Sequence, residues 1–397
     1  MMVEHKSFLV KLIILVIFFC FCSLSYAQGN IHLSTLEIHP FASVEQKYDD
    51  NIFLEPSNYE NDDWITTTTL GVGLEMPIVP QREDDFNFKA KYAADIIEFW
   101  DETKQSRVDH TVSANADFDF ANDFTLKLGD NYRKTADPPN SELTALEKRE
   151  KNTGQVMLGY AEGGELSFEL GYKHILDDYN TLNNLDKTEQ VITAIVYYQI
   201  FPKTSVFGEY NNGKINYDLN TTNSDSKYNQ GFLGLKGEIA PKLTGLAKIG
   251  YKDANYNDAS KKDFTGLTTW LNLTYNLMER STLNIYGENS STESTYSTNS
   301  YFNSNKIGVR FDHELYLRLF LAAGGAYELN KYPVATTVNS VTAKREDDIL
   351  SFSISLRYEI KEWASIQAGY EYKERDSNFT AFDYKDNKIS AKAALTF

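Results

Sequence analysis

From Leu36 onward, apolar and polar residues alternate along the chain in short blocks. At the C-terminus Ile389, Ala391, Ala393, Leu395 and Phe397 fall on one face, and Ser390, Lys392, Ala394 and Thr396 on the other. Phe352, Ile354, Leu356, Tyr358 and Ile360 alternate in the same way with Ser351, Ser353, Ser355, Arg357 and Glu359. Leu166–Lys173, Leu271–Leu277 and Ile366–Lys373 repeat the pattern. A period of two predicts strands with one apolar face.

The punctuation between blocks alternates as well. Short turns are expected at Glu162-Gly163-Gly164, Phe201-Pro202-Lys203, Ala240-Pro241-Lys242, Met278-Glu279-Arg280 and Lys361-Glu362. Long polar segments lie between them: Thr135 to Glu150, Asp177 to Lys187, Asp218 to Ser226, Asn289 to Phe302, Tyr332 to Arg345 and Arg375 to Tyr384. Strand, short turn, strand, long loop recurs at about 40 residues. The pattern predicts strands at 36–48, 64–76, 86–99, 108–120, 124–135, 151–162, 165–176, 188–200, 204–217, 227–239, 243–255, 263–276, 281–293, 303–314, 317–331, 346–359, 363–374 and 385–397. Most exceed the roughly 9 to 11 residues that cross a tilted bilayer. Short turns on one side and long loops on the other predict an all-β fold, a transmembrane antiparallel up-and-down barrel of about 18 strands. The even count puts both ends on the short-turn side, which is expected to be periplasmic. A propeller would repeat about four strands per unit, and this repeat holds two.

The first residues set the compartment. His5, Lys6 and Lys11 give a basic start, Leu12 to Leu24 is almost unbroken apolar sequence, and Ser25-Tyr26-Ala27 offers small residues for cleavage. This is the pattern of a secretory signal cut after Ala27. The apolar run, about 13 residues, falls short of the roughly 20 that a spanning helix needs. Cys20 and Cys22 raise a lipoprotein reading, but bulky Phe19 and Phe21 stand where small residues would be expected. The expected organisation is a signal over residues 1–27, a short periplasmic tail over 28–35 and an outer-membrane barrel over 36–397. Both cysteines fall in the signal, so the mature chain has neither disulfides nor thiolate metal sites.

Composition sharpens this picture. Aromatics make up 14% of the chain, with 26 Tyr and 24 Phe, which favours strands. Losing the signal removes two lysines and one glutamate, so the net charge moves from -17 to -18. Such acidity argues against nucleic acid as a partner. The mean hydropathy of -0.44 suits a barrel with a polar lumen and polar loops.

The stretch Leu36-Glu37-Ile38-His39-Pro40 through Tyr48-Asp49-Asp50-Asn51-Ile52-Phe53 resembles the opening of the outer-membrane β-barrel porin family of porin-2-like barrels, which often accompany exopolysaccharide export systems. Phe397 is similar to the aromatic C-terminus by which the barrel-assembly machinery recognises such proteins. The resemblance implies outer-membrane residence, with passage or export of saccharide, polysaccharide or other small polar solutes as the usual role. It implies outer-membrane lipid and lipopolysaccharide, the assembly machinery and polysaccharide-export components as partners, and it carries over no catalytic residue.

About eighteen strands leave an aqueous lumen. By parity, Lys89, Lys91, Lys127, Lys173, Lys236, Lys248, Arg310, Arg318, Arg357 and Lys392 are expected to face it, with Glu169, Glu209, Glu288, Glu359 and Glu371. These charges either bias which solutes cross or simply keep the sheet closed and hydrated. Trp64, Trp100 and Trp363 fall near strand ends, where an interfacial girdle sits. Trp270 lies mid-strand and points inward by the parity of Leu271. It is placed to stack a sugar ring there, unless a bulge turns it to lipid. His174 with Asp177 and Asp178 is the best catalytic constellation, but no nucleophile accompanies it, so no enzyme activity is expected. His110 and His313 are isolated. Acidic stretches at Asn61-Asp62-Asp63, Asp253 to Lys262 and Glu346-Asp347-Asp348 read as solvated loops, with calcium as the other reading; no metal site or cofactor is expected. Two functions follow: a channel, or a structural or adhesive barrel with partner-binding loops and a blocked lumen.

Overall fold

The computed structural model describes residues 31–76, 85–120, 122–162, 164–219, 223–296 and 298–397. The expected signal with its cleavage after Ala27, the first residues of the expected tail, and Gly163 of one expected turn lie outside the described residues. The strands are β1 (Ile31–Leu33), β2 (Leu36–Asp49), β3 (Asp63–Met76), β4 (Asp85–Phe99), β5 (Arg107–Asp119) and β6 (Phe124–Thr135). They continue as β7 (Arg149–Glu162), β8 (Leu166–Tyr179), β9 (Lys187–Phe201), β10 (Thr204–Tyr217), β11 (Ser226–Ala240) and β12 (Leu243–Tyr256). The last are β13 (Phe264–Met278), β14 (Ser281–Glu293), β15 (Tyr301–Tyr316), β16 (Leu319–Val338), β17 (Val341–Lys361), β18 (Ala364–Ser377) and β19 (Tyr384–Thr396).

Each strand from β2 to β19 pairs antiparallel with its sequence neighbour, and β19 returns to β2, from Lys388 opposite Asp49 to Thr396 opposite Phe41. The result is a closed barrel of eighteen strands, as the alternation predicts. Closure is what a bilayer demands, because an open edge would leave peptide groups unsatisfied in hydrocarbon. Part of the expected tail forms β1, which folds back on β2 with Ile31 opposite Ile38 and Leu33 opposite Leu36.

Register carries the apolar set around the outside. Leu70 lies opposite Ala42 and Ala94, Leu158 opposite Leu170, Ile307 opposite Tyr327, Ile354 opposite Tyr370, and Ile389 opposite Tyr48. The outer face is therefore one continuous band for lipid. Tyr48, Trp64 and Trp100 line its long-loop rim, with ring centroids 5.2 and 6.2 Å apart. At the other rim Trp363 stacks on Phe397 at 5.9 Å. Replacing Ile354 by arginine is expected to cost about 2–4 kcal/mol of unfolding free energy, since a charge then faces the bilayer midplane. Urea titration in lipid vesicles reads this directly. The same change at Ser355, which faces inward, should cost much less.

Two expectations about loops need correction. Tyr332 to Arg345 is a hairpin, because β16 and β17 run for 20 and 21 residues and meet at Asn339-Ser340. Both turn residues have positive φ, 49° and 67°, as a two-residue hairpin turn requires. Pro333 sits in a register shift between Lys331 and Ala335, where its missing N–H costs no ladder bond. Likewise β14 continues to Glu293 within the expected loop 289–302.

On the inside, aromatic rings lie flat across neighbouring strands. A Cβ on Gly213 would sit 2.1 Å from the Tyr228 ring, so that position tolerates only glycine. Near the long-loop end Ile215, Tyr217, Tyr228, Ala254 and Phe264 pack into a buried cluster with Val191 and Tyr301.

Candidate functional site: a lumen crossed by an inward loop

The loops at one rim share a closing device. The last residue of four of them is an aspartate that accepts a backbone N–H from the end of the preceding strand. Asp186 takes that of Tyr179 at 2.6 Å, Asp225 that of Tyr217 at 2.8 Å, Asp263 that of Tyr256 at 2.8 Å and Asp383 that of Ser377 at 2.7 Å. Burial holds the Asp186 and Asp383 carboxyls above their ordinary range, and the N–H each accepts pulls the other way. These bonds tie the two ends of each of the four loops together.

The loop over residues 136–148 behaves differently. It is tied at its base by Asp137, which pairs with Arg107 at 3.1 Å and Arg133 at 2.7 Å. Leu146 packs on a cluster of Ile52, Ile65 and Phe99. Its tip then reaches strands on the opposite wall. Ser141 Oγ donates to Glu328 at 2.5 Å, Asn330 Nδ2 donates to Ser141 Oγ at 2.8 Å, and Arg375 Nη1 donates to the Ser141 carbonyl at 2.8 Å. Glu142 is buried and accepts from Ser294 Oγ at 2.7 Å, Thr295 N at 2.6 Å and Thr295 Oγ1 at 2.9 Å. Asn140 Oδ1 holds the turn between by accepting the N–H groups of Glu142 and Leu143, each at 2.9 Å. The sequence predicts a polar loop here like the others on the long-loop side. The structure corrects that: it crosses the lumen.

Beside the tip, Arg345 is fully buried. It pairs with Asp347 at 2.7 Å and lies over the rings of Phe382, Tyr332 and Tyr296 at 3.7, 4.9 and 5.3 Å. Burial also raises the Tyr296 hydroxyl pKa. Arg345 and Glu142 were missed in the sequence because both fall in stretches read as solvated loop.

The walls carry the charges that parity pointed to, mostly in pairs. Lys89 meets Glu75 at 2.6 Å, Lys127 meets Glu169 at 3.7 Å and Lys248 meets Glu209 at 2.7 Å. Arg310 meets Asp312 at 2.8 Å, Arg357 meets Glu359 at 2.6 Å and Lys392 meets Glu45 at 3.9 Å. Lys91 lies over Phe41 at 4.6 Å and Lys236 over Tyr197 at 5.0 Å. Glu371 lines a cavity of about 1010 Å³, and Lys173, Trp270 and Glu288 line a second of about 560 Å³. Arg318 departs from this set: it sits in the short turn between β15 and β16 with φ 68°, at the rim. His174 and Asp177 are one strand face apart. His174 lines an outer groove with Leu128 and Tyr172, whereas Asp177 pairs inside with Arg149 at 3.3 Å, so the catalytic constellation is not assembled. Phe397 closes the seam, its N–H donating to the Pro40 carbonyl at 3.0 Å.

Pro139 and Asn140 of the crossing loop line the second cavity. Pro138, Asn140 and Ser141 line a third of about 380 Å³, and Pro138 and Leu146 a fourth of about 330 Å³. The loop thus narrows a wide barrel, with solute-sized spaces beside it.

A closed antiparallel barrel with a lipid band outside, a charged lumen and an inward loop defines an outer-membrane porin-like channel. Residues 31–397 match the family model described as "Putative beta-barrel porin 2", and the chain belongs to that family. It is similar in fold to a BenF-like porin from Pseudomonas fluorescens Pf-5, at 11% identity, covering 92% of this chain and 100% of that one, with a TM-score of 0.51. OpdL of Pseudomonas aeruginosa is similar at 12% identity, with 92% and 100% of the two chains covered and a TM-score of 0.50. OccAB4 of Acinetobacter baumannii is similar at 12% identity, with 91% and 98% covered and a TM-score of 0.50. A search of curated protein sequences found no match.

Proposed function

We propose that the barrel passes small polar solutes through the spaces beside the crossing loop, and that it does not conduct polymers. The observation that carries this reading is the loop over residues 136–148, pinned across the lumen through Ser141 and Glu142. A polysaccharide chain needs an unobstructed bore along its whole length, whereas the spaces left in this lumen, of about 330 to 1010 Å³, suit single small molecules. Inward charges of both signs, largely paired, argue for weak ion selectivity.

Purified protein in planar bilayers tests the reading. Stable open steps with modest cation-to-anion preference are expected. Silence would favour the second reading, a structural or adhesive barrel whose lumen the same loop blocks. Rapid passage of dextran into loaded vesicles would favour polymer export.

A further inference from the structure

We propose that Trp270 is the stacking platform of a saccharide subsite in the lumen, which rests on the channel reading above. Trp270 pairs in register with Lys248 on β12 and Glu288 on β14, and no register shift falls between Thr269 and Asn276 of β13. The side chain therefore keeps inward parity, opposite to lipid-facing Leu267 and Leu271. It is 36% exposed in the cavity of about 560 Å³ that the tip of the crossing loop also lines. An indole face held in water loses free energy until an apolar surface covers it. The C–H face of a pyranose ring is such a surface, and it leaves the sugar hydroxyls directed at the rim.

The rim is built to receive hydroxyls. Glu209 binds Lys248 Nζ at 2.7 Å and Asn211 Nδ2 at 2.7 Å, which fixes these groups in place and leaves further donor and acceptor positions toward the cavity. Gln230 is likewise held, by Thr268 at 3.2 Å. Glu288 is exposed beside the indole. Deeper charges are already matched, as Arg149 is by Asp177. A neutral polyhydroxylated ring satisfies this arrangement better than a free ion, which would have to displace an existing partner.

The test is single-channel recording of the full mature chain with maltose as probe, and choline chloride and sodium benzoate as charged comparators. Maltose is expected to reduce the open current saturably. Trp270→Ala should raise the half-blocking concentration at least about tenfold. Trp270→Phe should retain most of the block, and Glu288→Gln should weaken it. Open steps that maltose does not reduce, a block unaltered in W270A, or a block by benzoate or choline alone would each overturn the subsite and leave the channel standing. A silent bilayer would overturn the channel reading and the subsite with it.

Discussion

Replacing Glu142 by alanine raises the single-channel conductance several-fold and makes the open level noisy. The carboxylate is buried and accepts three hydrogen bonds from Ser294 and Thr295. Its loss strands the buried Ser294 hydroxyl, at about 1–3 kcal/mol, and the half-buried Thr295 N–H and hydroxyl at less. No regular secondary structure holds the tip, so the side-chain bonds at Ser141 and Glu142 are its main restraint. With the Glu142 bonds cut, only those of Ser141 hold the tip, and residues 138–145 move on the far wall enough to widen the passage. The barrel ladder is untouched, so the unfolding temperature in detergent should scarcely move. Conductance equal to the parent's would show that the segment does not set the aperture.

Arg345→Ala has the largest expected effect on stability. Asp347 is completely buried and Arg345 is its partner at 2.7 Å. Removing the guanidinium leaves an uncompensated charge, a loss of about 3–5 kcal/mol. Arg345→Lys should recover little, because an ammonium cannot lie flat against the Phe382 ring or make the bidentate pair. Replacing both partners with apolar residues should be milder than the single change, because the buried carboxylate goes too. Urea unfolding of the four proteins in one lipid settles the order. An R345A barrel as stable as its parent would mean that water reaches Asp347.

The barrel was largely legible because its physics is periodic. Lipid on one side and water on the other impose alternation on every strand, and the even count brings both ends to one rim. Trp270 could be placed by parity because no bulge intervenes before Asn276. What stayed hidden lacks a period. The loop at 136–148 is polar like its outward counterparts, and its destination depends on Glu328, Asn330 and Arg375, which are distant in sequence. The polar stretch from Tyr332 to Arg345 masked the long hairpin, and with it Arg345, whose spacing of two from Asp347 is a strand signal once the hairpin is known. Arg318 shows the opposite failure: the strand expected from residue 317 starts at Leu319, so parity was carried back from β16 into a turn.

The bond between β19 and β2 has a consequence for how the cell must make this protein. A ribosome halted anywhere before Tyr384 releases a ribbon with two raw borders, since β2 then lacks the strand that closes this barrel. Insertion therefore waits for the whole polypeptide. Until then an apolar stripe has to be carried through water by something other than its own fold.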